Sequence, residues 1–179
     1  MVKEFKLDLQ TIRHRARSKM SDGAVTPANT SDVAAVIGVL NEALATEVVC
    51  VLRYKNHYYT AQGMNAKSVA AEFLEHAAEE QMHADMICER IVQLGGNPNL
   101  DPKGLISRSH SEYVEADTLR EQIEEDLVAE RIAIESYTEI IRWLGDKDPT
   151  SRRVMEDILR MEEEHADDLA SLLAQVPAT

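Results

Sequence analysis

The fold is decided by two stretches that repeat one pattern, EQMHAD at residues 80–85 and EEEHAD at residues 162–167. Each stretch is preceded by a glutamate with a tyrosine seven residues after it: Glu47 with Tyr54, and Glu130 with Tyr137. The interval from this glutamate to the Glu-x-x-His pattern is 33 residues in the first half of the chain and 32 in the second. Two nested matches at one period indicate a duplicated helical hairpin.

The apolar pattern around these motifs predicts four long helices. Helical periodicity runs over residues 33–63, 67–94, 113–144 and 151–173. Short connections at 63–66 and 145–151 make two antiparallel hairpins, and the run GGNPNLDPKGLISRSHS (95–111) is long enough to cross the bundle. The predicted fold class is all-α, a four-helix bundle with one long crossover connection.

The composition agrees with one helical domain. The 179 residues are 44% hydrophobic but only 4% aromatic, with 7 Gly and 5 Pro, which favours helices over a β-sandwich or barrel. No run approaches the roughly 20 uninterrupted apolar residues of a membrane span, and the N-terminus lacks the apolar region of a secretory signal. We therefore expect a soluble, cytoplasmic protein without a membrane partner.

Four glutamates and two histidines fall at the centre of this bundle. Glu and His three residues apart project from nearly the same side of a helix, and each hairpin brings a single glutamate level with a Glu-x-x-His pair. Buried without compensation, such groups cost on the order of several kcal/mol each, whereas two divalent cations neutralise the four carboxylates. Oxygen donors with imidazole suit iron or manganese. The predicted metal ligands are Glu47, Glu80, His83, Glu130, Glu162 and His165.

A single Glu-x-x-His pair on a helix would more often mark a solvated face. Here the upstream glutamates lie on the apolar stripes of their helices: Glu47 is in line with Leu40 and Leu44, and Glu130 with Ile123. Acids on a core-facing stripe favour metal binding over a solvated surface.

From about residue 33 to 173 the chain resembles the bacterioferritin branch of the ferritin superfamily. The matching segments are LNEALATEVVCVLRY (40–54), EHAAEEQMHADMICERI (75–91), EDLVAERIAIESY (125–137) and DILRMEEEHADDL (157–169). The resemblance implies a ferritin-like bundle with a ferroxidase centre, in which the six ligands hold two iron ions and Glu80 and Glu162 lie near or between both. Tyr54 matches the tyrosine beside the di-iron centre and is the catalytic residue that the resemblance implies. Tyr137 follows its glutamate at the same seven-residue spacing, and it can equally be interpreted as an aromatic residue of the core.

Three departures from the family pattern bear on haem and on assembly. Gln81 stands where haem-binding bacterioferritins place a methionine, and Met82 is rotated from it by about 100°, so Met82 is expected to pack and haem is not expected. The segment AQVPAT (174–179) replaces a fifth helix, and the first 30 residues resemble the extensions of Dps proteins. We therefore expect a homo-oligomeric cage of 12 subunits, with 24 as the alternative.

Residues 1–32 are predicted to form a basic N-terminal arm and linker, and residues 33–179 the bundle. The first 20 residues contain six basic and two acidic side chains, a net charge of +4, whereas the whole chain carries −13. The run SDGAVTPANTSD (21–32) has the composition of a linker. The arm is either a solvated tail, a strap over a neighbouring subunit, or an anchor for non-specific DNA binding.

Five further residues are secondary candidates. Asp126 is either an exposed acid or the acceptor for the free N–H of a ligating imidazole, and His76 and Glu79 are candidates for an iron route. Cys50 and Cys88 are placed too far apart for an intrachain disulfide and are expected to pack as ordinary helix residues.

The leading functional hypothesis is iron storage and detoxification. A ferroxidase of this kind oxidises Fe(II) with O₂ or H₂O₂ and deposits Fe(III) in a hollow cage, which also protects DNA from oxidative damage. The alternative is a discrete di-metal oxidoreductase without mineral storage, such as a rubrerythrin-like peroxidase or a manganese catalase, although two isolated cysteines cannot form the rubredoxin module usual in rubrerythrins. A third hypothesis is a chromosome-coating protein whose metal site is structural.

Overall fold

A computed structural model describes residues 4–63 and 66–176, and its helices follow the repeat in the sequence. In chain order they are α1 (Leu9–Arg15), α2 (Val33–Thr60), α3 (Ala66–Gln93), α4 (Leu105–Arg108), α5 (Leu119–Leu144) and α6 (Pro149–Gln175), with a 3₁₀ turn at Met20–Asp22. The described residues contain no β-strand. The all-α bundle of four long helices is therefore confirmed, and α1, α4 and the 3₁₀ turn are additions that the sequence analysis did not predict.

Side-chain caps set where the long helices begin. Asp32 accepts a hydrogen bond from the backbone N–H of Ala35 at the start of α2, and Asp148 accepts one from the backbone N–H of Ser151 at the start of α6. Thr118 and Glu121 form a reciprocal capping box, so α5 begins at Leu119. The predicted helix start at residue 113 is wrong, because residues 113–118 belong to the crossover.

The two hairpins pair as the repeat predicts. α2 packs along α3 and α5 packs along α6, while contacts of α2 with α5 and of α3 with α6 close the bundle. Residues 64 and 65 of the first connection lie outside the described residues, as do residues 177–179 of the C-terminal segment.

The crossover between α3 and α5 is fastened to α2. Its short helix α4 buries Leu105 against Ala45 and Val49, and the backbone N–H of His110 donates to Thr46 Oγ1 at 2.9 Å. The predicted loop 95–111 thus contains one helical turn, since Leu105 adds apolar contact with α2.

The apolar core is divided into two clusters by a polar layer. One cluster contains Leu40, Leu44, Ile87, Ile91, Tyr137, Ile140, Leu144, Met155 and Ile158. The other contains Tyr54, Val69, Phe73, Leu119, Ile123 and Leu169. The polar side chains between them are buried, so any charge there depends on partners within the bundle.

Helix α2 has the apolar composition of a core helix. Its most apolar 18-residue window has a mean hydropathy of 1.8. Among the described helices, α2 is the one that is long and apolar enough to span a membrane. More than half of that window is buried inside the bundle, and the helix also carries buried Glu47 and Arg53. A helix at the centre of a bundle meets the same length and composition test.

The N-terminal arm lies largely apart from the core. Helix α1 has no buried residue, and Phe5, Leu7 and Leu9 are each more than half exposed. The linker that follows is held more closely: Val25 packs against the first core cluster, and the backbone N–H of Thr30 donates to the carbonyl of Lys147.

Candidate metal centre

The structure brings all six predicted ligands together in the polar layer. α2 and α5 contribute one glutamate each, and α3 and α6 each contribute a Glu-x-x-His pair. The six side chains are at most 3% exposed. They form two groups whose ligand atoms lie within 4.8 Å of one another, and Glu80 and Glu162 belong to both groups. The arrangement therefore offers two metal-sized sites that share two carboxylates.

The first site is centred on His83. Its Nδ1 lies 3.0 Å from Glu162 Oε1, 3.2 Å from Glu47 Oε2 and 4.0 Å from Glu80 Oε2. Three helices thus place carboxylate oxygens around one imidazole nitrogen, which is the ligand arrangement that one divalent cation requires.

The second site is centred on His165. Its Nδ1 lies 3.2 Å from Glu80 Oε1, 3.6 Å from Glu162 Oε2 and 3.9 Å from Glu130 Oε2. Both histidines present Nδ1 to the polar layer, so the two sites are equivalent in the way that the repeated Glu-x-x-His pattern predicts.

Unpaired buried atoms show that this donor set fits metal ions. Within the described residues, Glu80 Oε1, Glu130 Oε2, both carboxylate oxygens of Glu162 and Nδ1 of His165 are buried without a hydrogen-bond partner. Leaving such atoms unpaired is costly, whereas two divalent cations between them would supply a partner for each. The oxygen-rich set with two imidazoles fits iron or manganese better than a thiolate-binding metal.

The metal-free cluster holds protons that a cation would displace. Burial, together with the negative charge of Glu162, raises the pKa of Glu80 and of Glu130 well above the usual carboxyl range. Although burial disfavours the charged ring, the carboxylate of Glu162, 3.0 Å away, and the hydrogen bond to Glu47 raise the pKa of His83 to about 10. Burial opposes ionisation of Glu47 as well, but its hydrogen bond with His83 lowers its pKa below the ordinary value. Metal binding at this cluster is therefore expected to release protons.

Two tyrosines donate hydrogen bonds across the bundle to the single glutamates of α2 and α5. The Tyr54 hydroxyl donates to Glu130 and the Tyr137 hydroxyl donates to Glu47. Burial, together with the charge of the adjacent carboxylate, raises the pKa of both hydroxyls, so each stays protonated. Tyr137 is thus placed like Tyr54, and the equal Glu-to-Tyr spacing in the sequence was the signal for this equivalence.

Asp126 does not occupy the position predicted for it. It is fully buried rather than exposed, and it accepts hydrogen bonds from Arg53 Nε at 2.8 Å and His57 Nδ1 at 2.9 Å. Neither partner is one of the predicted ligating imidazoles. The reason is geometric: Asp126 faces α2 across the bundle, whereas the ligand histidines lie on α3 and α6.

Glu79 makes the contact that was expected of Asp126. Its Oε2 lies 2.8 Å from Nε2 of His165, so a proton on Nε2 leaves Nδ1 free to face the carboxylates. His76 stacks on His165 with ring centroids 4.1 Å apart. Burial and the neighbouring charge of His165 lower the pKa of His76 to about 3, so this ring is neutral. His76 and Glu79 both line a cavity beside the centre, and their role on an iron route stays a prediction.

The remaining candidates lie outside the ligand cluster. Cys50 and Cys88 are free thiols; Cys50 is buried with its Sγ 3.7 Å from Ser111 Oγ, and burial raises its pKa. Met82 is 55% exposed. The prediction that Met82 packs is therefore wrong within the described chain, because its position on α3 faces away from the core.

Comparison with known proteins places this geometry in context. A family profile described as a ferritin-like domain matches residues 37–179. A bacterioferritin from Desulfovibrio desulfuricans is 30% identical over 133 residues, which cover 74% of this chain and 70% of that protein. A nutrient stress-induced DNA-binding protein from Synechococcus is 31% identical over 150 residues, covering 81% of this chain and 84% of that one.

A solved structure shows the same similarity in three dimensions. The bacterioferritin-related protein of Bacteroides fragilis, described as a dodecameric thioferritin, superimposes with a TM-score of 0.78 at 34% identity. The match covers 82% of this chain and 88% of that protein. The range of the family profile, residues 37–179, contains all six candidate ligands.

Proposed function

This chain belongs to the ferritin-like family, and on that premise we propose that it is a ferroxidase that stores and detoxifies iron. The observation that carries the proposal is the pair of overlapping ligand groups that share Glu80 and Glu162. Glu80 Oε1 and both carboxylate oxygens of Glu162 are buried without a hydrogen-bond partner in the described chain, a cost that bound cations would relieve. Two Fe(II) ions per subunit are the substrates that this donor set suits.

The ligands have distinct tasks in the proposed reaction. Two Fe(II) ions supply two electrons, which with two protons reduce H₂O₂ to two molecules of water or O₂ to H₂O₂. Glu80 and Glu162 belong to both binding positions and would hold them close together. His83 and His165 would each supply the nitrogen ligand of one position. The carboxylates stabilise the higher charge of Fe(III) as it forms.

The tyrosines hold the terminal carboxylates in place. Each hydroxyl donates to one oxygen of Glu47 or Glu130, which leaves the other oxygen directed at the ligand group. Tyr54 is proposed in addition as the catalytic residue beside the two iron ions. Its hydroxyl also lies 3.3 Å from His76 Nδ1. Orientation by a fixed donor reduces the reorganisation that the reaction requires.

The product is proposed to enter the interior of a cage. The dodecameric assembly of the Bacteroides fragilis relative supports a 12-subunit shell, with 24 subunits as the alternative. Outside the first 20 residues the chain carries a net charge of −17, and a shell of such subunits attracts iron cations.

Rapid-mixing kinetics test the ferroxidase assignment. Aerobic Fe(II) is expected to be oxidised in a burst of two ions per chain, and Glu80→Gln is expected to slow this burst by about 100-fold, as loss of a shared ligand implies. Glu89→Gln removes the same charge from an exposed position of α3 and is expected to retain the burst. A Glu80→Gln variant with the wild-type burst would refute the assignment.

DNA binding is a second proposed function, carried by the exposed N-terminal arm. Helix α1 has no acidic residue and carries Arg13, His14 and Arg15 in its last turn, none of them buried. The DNA-binding relative from Synechococcus supports this function, which requires the cytoplasmic location predicted from the sequence. A gel shift that weakens with salt and disappears on deletion of residues 2–20 is expected. Binding that survives the deletion, or that is absent at low salt, would contradict it.

A further inference from the structure

The N-terminal helix α1 has an apolar side that nothing in its own chain covers. Leu9 and Ile12 lie one turn apart on that side, and they are 52% and 44% exposed. Phe5 lies four residues before Leu9, just outside the helix, and is 86% exposed. These three side chains have the i, i+4, i+7 spacing with which amphipathic helices pack into apolar grooves.

Helix α1 is too short to be stable without a partner. It has seven residues, whereas isolated helices shorter than about 12–15 residues are marginal in water. Asp8 caps its first turn, but no residue of the helix is buried against the bundle. A surface that covers the apolar side would supply the packing that the helix lacks.

A groove between α5 and α6, here called the α5–α6 groove, has a complementary lining. Its volume is about 400 Å³. The apolar lining comes from two residues of each helix: Leu127, Ile134, Ala166 and Ala170. The small alanine side chains leave the space between the helices. Leu127 and Ile134 are two helical turns apart, which is also the spacing of Phe5 and Ile12 in the arm.

The walls of the α5–α6 groove are acidic on both sides. Glu135 lies on the α5 side, and Glu163 and Asp167 lie on the α6 side. Within the described chain none of these three carboxylates has an ion-pair partner. Arg131 is the one basic residue among those that line the groove, so the groove has a net negative charge and attracts a basic segment.

The basic residues of α1 flank its apolar side. Arg13 and Arg15 project on either side of Leu9 and Ile12, and the helix contains no acidic residue. A helix placed on the alanines of the groove directs one arginine towards each acidic wall. We propose that α1 of one subunit docks in the α5–α6 groove of a second subunit.

The position of the arm favours a second copy over the same chain as the source of the docked helix. The linker that follows α1 lies at the C-terminal end of α3, where residues 21–25 and 92–95 line one cavity. The α5–α6 groove lies on the other hairpin, at the middle of its helices. In a homo-oligomer the arms of neighbouring subunits are present at high effective concentration. The docking does not depend on the proposed ferroxidase function.

Limited digestion of the assembled protein with trypsin, in the absence of DNA, tests the docking. Exposed ion pairs contribute little individually, so the test variant Ala170→Arg fills the groove with a bulky cation. Trypsin is expected to remove the arm about ten-fold faster from Ala170→Arg than from the wild type. Ala71→Arg changes an exposed alanine of α3 and is expected to match the wild type. Equal rates for Ala170→Arg and the wild type would overturn the docking.

Cross-linking identifies the chain that supplies the helix. Ala16 follows α1 on its apolar side. In the variant Ala16→Cys/Ala170→Cys, a short bis-maleimide is expected to join two chains, which then migrate as covalent dimers under denaturing conditions. The matched control Ala16→Cys/Ala71→Cys keeps the native cysteines and is expected to give about ten-fold fewer dimers. Links within one chain only, or no excess over the control, would overturn the assignment to a second subunit.

Discussion

Arg53 and Asp126 form a buried ion pair, with 2.8 Å between Nε and Oδ1, that joins α2 to α5 beside the metal centre. Neither side chain is more than 1% exposed. His57 occupies the second carboxylate oxygen of Asp126, and Arg53 Nη1 donates to the backbone carbonyl of Glu112 in the crossover. The pair thus fixes the rotation of the helices that carry Glu47 and Glu130.

Breaking this pair is expected to destabilise the fold. Asp126→Ala leaves the Arg53 guanidinium buried without its carboxylate, which typically costs about 3–5 kcal/mol of the free energy of unfolding. Asp167→Ala removes an exposed aspartate and is expected to change that free energy by no more than about 0.5 kcal/mol. Urea unfolding of the two variants makes the comparison. Equal stabilities would show that the pair is not important for the fold.

The two tyrosines are expected to contribute equally to metal binding. Tyr54→Phe and Tyr137→Phe each remove a hydrogen bond to one terminal carboxylate. In calorimetric titration with Co²⁺, which serves as a divalent probe, each variant is expected to weaken binding at one of the two central sites by about ten-fold. Tyr59→Phe is the control, since Tyr59 is 80% exposed. A loss confined to Tyr54→Phe would contradict the two-fold equivalence and would leave Tyr137 as a core aromatic alone.

The metal-free protein is expected to lose stability as the pH rises. The pKa of His83 is raised from 6.5 to about 10 on folding, so the stabilisation is complete below pH 6.5 and is lost as the pH rises through about 10. The raised pKa values of Glu80 and Glu130 act in the same direction, because the folded chain holds protons that the unfolded chain has released. Thermal unfolding after removal of metal is expected to show Tm falling across this window, and bound Mn²⁺ should reverse the trend. A rising Tm in the metal-free chain would contradict these protonation states.

Replacing the shared ligand Glu162 is expected to change stability and activity in opposite directions. Burial raises the pKa of Glu162 although His83 lies 3.0 Å away, so ionised Glu162 opposes folding of the metal-free protein, and Glu162→Gln is expected to raise its Tm by about 2–4 °C. Iron oxidation should fall by about 100-fold in the same variant. Glu163→Gln changes the exposed neighbour and is expected to alter neither property. A metal-free Glu162→Gln variant less stable than the wild type would show that this carboxylate has a structural function.

The bundle and its ligand cluster were predictable because a repeated spacing carries them. Glu47 and Glu130 lie at equivalent positions before two identical Glu-x-x-His-Ala-Asp patterns, and helical periodicity then places all the ligands at one level. The start of α5 also had a local signal: the Thr-x-x-Glu pattern at residues 118–121 is a capping box. Apolar periodicity alone extended this helix too far.

The contacts around the cluster could not be predicted in the same way. Whether a carboxylate such as Asp126 or Glu79 meets a given histidine depends on how far each helix is rotated and shifted along its neighbour. The hydrogen bonds that join His76 through the Tyr54 hydroxyl to Glu130 involve three different helices. No spacing along one helix contains that information.

Iron retention tests the central claim most directly. Graded Fe²⁺ is added aerobically to the assembled protein, which is then desalted, and the iron retained per chain is measured. The account predicts retention of tens of ions or more per chain in the wild type, and loss of that retention in Glu162→Gln. A plateau at about two ions per chain, the capacity of the paired sites, would contradict mineral storage and favour a discrete di-metal oxidoreductase. No retained iron would contradict the assignment of the ligands to iron.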